Sequence, residues 1–182
     1  MTVTRLFKKP GPILLCLSTL FGLSACSVDR PPIRLASQVD LERFMGPWYV
    51  IANIPTFIET EAFNAVETYR RDPDGGIATT FTFRQGGFEG PERQYHPKGQ
   101  VVDPASGAVW TMTFLWPFRS DFRIVYVSPD YSTTVIGREA RDYVWIMART
   151  PTLSEDTRQF LIDLVVQEGY DRDKIQLVPQ RW

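Results

Sequence analysis

The side chains that most often carry chemistry are scarce in this chain. Its 182 residues include one histidine, His96, and two cysteines, Cys16 and Cys26. A single histidine supplies neither a histidine-based metal site nor a Ser-His-Asp triad, and His96 reads as an ordinary strand or loop residue. Gly86, Gly87 and Gly90 do not lead from a strand into a helix, so they form no phosphate-cradling loop. Glu168, Asp171 and Asp173 lie near one another without the spacing of a calcium loop, and helix-end and turn positions account for them. No catalytic, metal-ligating or cofactor-holding set emerges. What is abundant is aromatic and thioether chemistry. Trp110, Met112 and Phe114 alternate along one run, and Ile77, Thr79, Phe81 and Phe83 along another. Such side chains on one face of a strand form an apolar, polarizable surface.

Those side chains need strands to aim them. Asp40 is placed to cap a short helix through Phe44. The hydrophobic period then becomes two. Strands are expected at residues 48–53, 66–71, 77–84, 93–102, 108–115, 122–128, 133–138 and 143–149, with turn signals between them. Asp72-Pro73-Asp74-Gly75-Gly76 and Asp103-Pro104-Ala105-Ser106-Gly107 are strong turns. Pro97 interrupts the fourth strand and implies a bulge or an edge there. Thr152-Leu153-Ser154-Glu155 reads as a capping box before a helix over residues 154–168, with Phe160, Leu161, Leu164 and Val165 on one stripe and Gly169 as the stop. A short last strand is expected at residues 175–178. The class is all-β, an antiparallel meander with one C-terminal helix. Strand counting alone leaves barrel and sandwich both open.

The first 25 residues stand apart. Arg5, Lys8 and Lys9 precede a mostly apolar run from Ile13 to Leu23, too short to span a bilayer as a helix. Leu23-Ser24-Ala25-Cys26 resembles the lipobox of bacterial lipoprotein signals, which implies removal of residues 1–25 and acylation of Cys26. Ser27 after the cysteine is similar to the pattern sorted to the outer membrane in Gram-negative cells. Residues 26–38 then read as an acylated cysteine and a proline-containing tether, and residues 39–182 as the folded domain. The remaining 157 residues hold 17 basic and 21 acidic side chains, a net charge of −4. That balance argues against nucleic acid and against electrostatic attraction to anionic lipid, so membrane attachment falls to Cys26. With Cys16 removed and Cys26 a thioether, no free thiol is left for a nucleophile, a disulfide or a metal.

Three short signatures decide between the architectures. Gly46-x-Trp48 opens the first strand in GPWYVIANIPTFIE, an Asp130-Tyr131 turn sits in PDYSTTVIG, and Arg149 closes the eighth strand in RDYVWIMARTPTLSED. TYRRDPDGG and LWPF match as well. Together they resemble the lipocalin family, specifically bacterial outer-membrane lipocalins and the apolipoprotein D-like group, over residues 38 to 180. The resemblance implies an eight-stranded up-and-down antiparallel β-barrel with a C-terminal α-helix on its wall, shut at one end and open at the other. It gives Gly46, Trp48 and Arg149 a structural role, with the guanidinium over the indole at the closed end. It implies an apolar cavity lined by Tyr69, Phe81, Trp110, Met112, Phe114, Val125, Trp145 and Met147, with Tyr143 on the same side. Fatty acids, lysophospholipids or similar ligands are expected, with no cofactor, and a homodimer is compatible with the family. Trp116-Pro117-Phe118 is expected to form an apolar rim that meets lipid or a second copy. Two other readings stay open on the residues: a barrel filled solid by its aromatic side chains, and an enzyme acting on a bound lipid.

Overall fold

The computed structural model describes residues 30–182. The leader and Cys26 lie outside the described residues. The capping aspartate opens the ordered part of the domain. Its carboxylate accepts from the N–H groups of Glu42 and Arg43 at 3.0 and 3.2 Å and starts α1 (Leu41–Phe44). The strands follow in the order β1 (Gly46–Ile54), β2 (Ala62–Arg71), β3 (Ile77–Gln85), β4 (Glu92–Tyr95), β5 (Lys98–Val101), β6 (Val109–Leu115), β7 (Phe118–Val127), β8 (Thr133–Gly137) and β9 (Val144–Ala148). Then come α2 (Glu155–Gln167), a 3-10 turn at Arg172–Lys174 and β10 (Gln176–Leu177).

Pro97 splits one stave of the sheet into β4 and β5. It lacks an N–H, but its carbonyl still accepts from the N–H of Thr79 at 3.0 Å, so β3 stays paired across the break. Counted as one stave, β4 and β5 bring the total to eight. Each stave is antiparallel to the next, and β1 pairs with β9 to close the ring. The fold is therefore a closed up-and-down barrel with no free sheet edge along β1 and β9. Near Asn64, whose φ is 49°, β2 bulges and parts from β1; β10 pairs with Ala52 and Asn53 instead.

Period two sorts the apolar side chains into two cores. Trp48, Tyr69, Phe81, Trp110 and Met147 point into the barrel. Ala52, Val135, Ile146, Leu161 and Val165 form a second core between the outer wall and α2. The helix stripe matches expectation at Leu161 and Val165, which are fully buried, whereas Phe160 lies half exposed against Tyr126. The cap differs from the capping-box reading. Ser154, two residues later than Thr152, accepts from the N–H of Thr157 at 3.2 Å. Glu155 therefore sits in the first turn rather than reaching back as the third residue of a box. Gly169, at φ 93°, ends the helix as expected.

Candidate functional site

The barrel has a shut end and an open end, and different residues build each. At the shut end β1 begins with Gly46 at φ 97°, a backbone state that side chains disfavour. A Cβ there would also come within 3.3 Å of the Arg149 guanidinium. Arg149 follows β9 and lays its guanidinium carbon 3.7 Å from the ring centre of Trp48. Such a contact contributes roughly 0.5–2 kcal/mol. The same guanidinium donates to the carbonyls of Pro47, Arg43, Phe44 and Met45 at 2.8, 2.7, 3.1 and 2.8 Å. Three of these carbonyls lie at the C-terminal end of α1, where a helix leaves its acceptors unpaired. The Trp48 indole N–H donates to Phe44 O at 2.9 Å. The Asp130-Tyr131 turn completes the plug: Tyr131 Oη accepts from the Asp40 N–H at 2.7 Å, and Arg43 lies over its ring at 4.1 Å. Hydrogen bonds from Ser128 and Ser132 push the exposed Asp130 carboxyl down to about 2.

Above the plug a second aromatic layer forms the floor. Trp110 stacks on Phe122 at 4.9 Å and meets Phe44 and Tyr69 edge-on. Its indole N–H donates to Gly107 O at 2.7 Å. Tyr69, Trp110 and Met147, expected as cavity lining, thus face inward but are packed into this floor. Phe81 is likewise inward and buried, in the wall against Phe83 and Tyr95.

The open end holds a hollow of about 390 Å³. Trp145 and Tyr143 from the β9 side, Phe114 from β6 and Tyr95 from β4 form its walls, while Phe57 and Ile58 of the β1–β2 connection and Arg138 bound its mouth. Phe114 and Trp145 are thus among the residues around the hollow. Beneath lies a niche of about 20 Å³ that shares Phe114, Ser120 and Trp145 with the hollow and is bounded below by Met112, Phe122 and Glu67. A wider groove of about 490 Å³ beside Arg71, Asp74 and Gln100 shares no lining residue with the hollow.

Val125 is a correction. It packs on the outer wall with Ile33, Val135 and Tyr170 and does not face the hollow. Ser120, Phe122 and Ile124 take the inward phase of β7, and the register slips only between Ile124 and Tyr126. Val125 is the extra residue of that bulge and stays on the outer wall beside Tyr126.

Glu59 and Glu67 were not foreseen as site residues. Glu59 folds back from the β1–β2 connection and is 1 % exposed. Its Oε2 accepts from Trp145 Nε1 at 3.1 Å, Thr56 N at 3.2 Å and Asn53 Nδ2 at 3.4 Å. This fixes the indole as a wall of the hollow. Burial pushes the Glu59 carboxyl up. Glu67 sits on β2 between Trp48 of β1 and Phe81 of β3, and accepts a hydrogen bond from Tyr69 Oη. Burial pushes Glu67 up to about 7, the negative charge of Glu59 adding to the effect. The sequence carries a signal for Glu67, because it stands two positions before Tyr69 and alternation puts both on one face. Among the described residues no group of His, Cys, Asp and Glu is arranged to hold a metal.

A lipocalin-like domain model matches residues 39–180. The chain belongs to the lipocalin family. This lipocalin is 32% identical to temperature-induced lipocalin-1 of Arabidopsis thaliana over 161 residues, covering 84% of this chain and 85% of the relative. It is 27% identical to outer membrane lipoprotein Blc of Citrobacter freundii, covering 93% and 96%, and 24% identical to apolipoprotein D of Bos taurus, covering 93% and 95%. Among solved structures, insecticyanin from Manduca sexta superposes with a TM-score of 0.63 at 14% identity, over 82% of this chain and 85% of that one. The lipocalin thus falls with the bacterial Blc and apolipoprotein D group, and the shut and open ends described above are the two ends of a lipocalin cup.

Proposed function

We propose that this lipocalin binds a single-chain lipid, a fatty acid, lysophospholipid or similar amphiphile, and holds or moves it for the upkeep of the cell envelope. The observation that carries the reading is the hollow of about 390 Å³ walled by Trp145, Tyr143 and Phe114. That volume lies at the lower end of the roughly 300–1,000 Å³ range of small-molecule sites. Each methylene moved from water into it contributes about 0.8 kcal/mol, less the cost of ordering the chain. The hollow counts against a barrel filled solid. The reading is binding without turnover.

Attachment to the outer membrane through acylated Cys26 is part of the same proposal. It is supported by the Leu23-Ser24-Ala25-Cys26 pattern and by relatives named outer membrane lipoproteins that match over 93% of this chain. Replacing Cys26 by alanine is expected to abolish incorporation of labelled palmitate and to move the protein out of the membrane fraction. Retained label with that variant would overturn the anchor.

Titration of a fluorescent fatty-acid probe into protein lacking residues 1–26 tests the cup. Saturable binding with one site per chain is expected, and replacing Phe114 in the wall by glutamate should weaken it about tenfold or more. Mass spectrometry should recover the lipid unchanged. Absence of saturable binding would return the barrel to a structural role, and a converted lipid would make the protein an enzyme.

A further inference from the structure

The aromatic floor of the hollow is interrupted by one carboxyl. The hollow narrows into the niche bounded by Glu67, and this side chain is 6 % exposed among Trp48, Phe81, Met112 and Phe122. The niche, at about 20 Å³, admits one group the size of a water molecule. Tyr69 Oη donates to Oε2 of Glu67, and the carboxyl bounds the niche. A buried carboxylate is costly unless a donor or a cation meets it.

The residues that line the niche include no cation. Glu59, from the β1–β2 connection, is a second acid in the barrel and is already hydrogen-bonded to Trp145. Asp121, on β7, also bounds the niche, but Arg123 holds it at 2.9 Å and it accepts from the Glu139 N–H at 2.8 Å. Arg149 lies on the far side of the floor, over Trp48 and bound to the α1 carbonyls. Arg138 is at the mouth, beside Tyr143 and paired with Asp142 at 3.3 Å. Along the path inward a ligand passes Tyr143, Trp145 and Phe114, rings whose π-faces attract cations.

We propose that Glu67 makes the niche a selector for the inserted end of the ligand, so that the cup takes a single chain ending in an ammonium group ahead of the same chain ending in a carboxylate. The proposal rests on the reading that the hollow takes one aliphatic chain. The ammonium donates to the Glu67 carboxyl where it bounds the niche and turns it fully to its carboxylate form. A carboxylate end would set a second negative charge against the first. Burial holds Glu67 at about 7, so near neutral pH the empty cup carries a shared population of acid and carboxylate. Binding of an ammonium converts the acid and expels its proton to solvent.

Calorimetric titration of protein lacking residues 1–26 with dodecylamine, dodecanol and dodecanoate tests this. At pH 8 dodecylamine should bind about tenfold or more tightly than dodecanoate. In Glu67→Gln that preference should shrink to within about threefold, with a wild-type far-UV circular dichroism spectrum showing that the variant folds. For the wild type at pH 6.5, titration in two buffers of different ionisation enthalpy should show release of about half a proton or more per dodecylamine. An unchanged preference in Glu67→Gln, a wild type that favours dodecanoate, or no proton release would overturn the proposal while leaving the cup intact. If none of the three compounds binds, the cup reading itself falls and takes the proposal with it.

Discussion

Arg149 shows how much one side chain can hold at the shut end. It gives four carbonyls a donor and covers one indole face. Replacing it by methionine keeps the bulk and leaves those acceptors facing an apolar group. The expected loss is about 3 kcal/mol, since bonds to a charged group contribute about 1.5–3 kcal/mol each and water will reach some of the freed carbonyls. Lysine should recover only part of this, because an ammonium cannot present the flat fork that spans α1 and Pro47. Denaturant midpoints of the two variants check it, and equal midpoints for lysine and arginine would refute the geometric argument. Glu67 acts in the opposite sense on stability. Its carboxyl is raised in the fold from 4.5 to about 7, so the folded state binds more protons than the unfolded chain between those values. Stability from this group is therefore full below about pH 4.5 and is lost as pH rises through about 7, a change of about 3 kcal/mol. Glu67→Gln should flatten that slope and be more stable than the wild type at pH 8. A slope equal to that of the wild type would show that Glu67 is not the source.

At the scale of elements, α2 earns its place through two side chains. Leu161 and Val165 seal the outer wall against Ala52, Val135 and Ile146, with Tyr170 at the far end. The Tyr170 hydroxyl accepts from Arg138 N at 2.8 Å and donates to Arg138 O at 3.1 Å, which ties the chain after α2 to the end of β8. Gly137 makes this possible, because a Cβ there would stand 2.6 Å from that hydroxyl. Leu161→Ala should cost about 2–5 kcal/mol, the range for a leucine removed from a well-packed core. The cup faces the other side of the same sheet, so binding by the folded fraction should be unchanged. Thermal unfolding read beside probe affinity checks both halves of that expectation. Lowered affinity in fully folded protein would mean that the helix shapes the hollow.

Over the whole molecule, the barrel explains why the two functions of its interior separate. Closure by β1 and β9 gives one inside, and the inward phase of every stave points into it. Near the shut end Phe44 meets the rings of Trp48, Tyr69 and Trp110, and Tyr69, Trp110 and Phe122 meet one another, so the interior is filled there. Toward the mouth Phe114 and Trp145 face open space instead. The sequence by itself determined the strands, the hairpin turns, the break at Pro97 and the closing pair of Trp48 and Arg149, because each rests on local period, turn chemistry or short signatures. It also placed Phe114 and Trp145 at the hollow. Only the tertiary structure decided which inward residues line space and which fill it, because that depends on the height of each side chain along the barrel, and alternation carries no information on height. The same holds for Val125, whose facing turns on where β7 slips register, and for Glu67, whose burial depends on rings brought over it from β1, β3, β6 and β7.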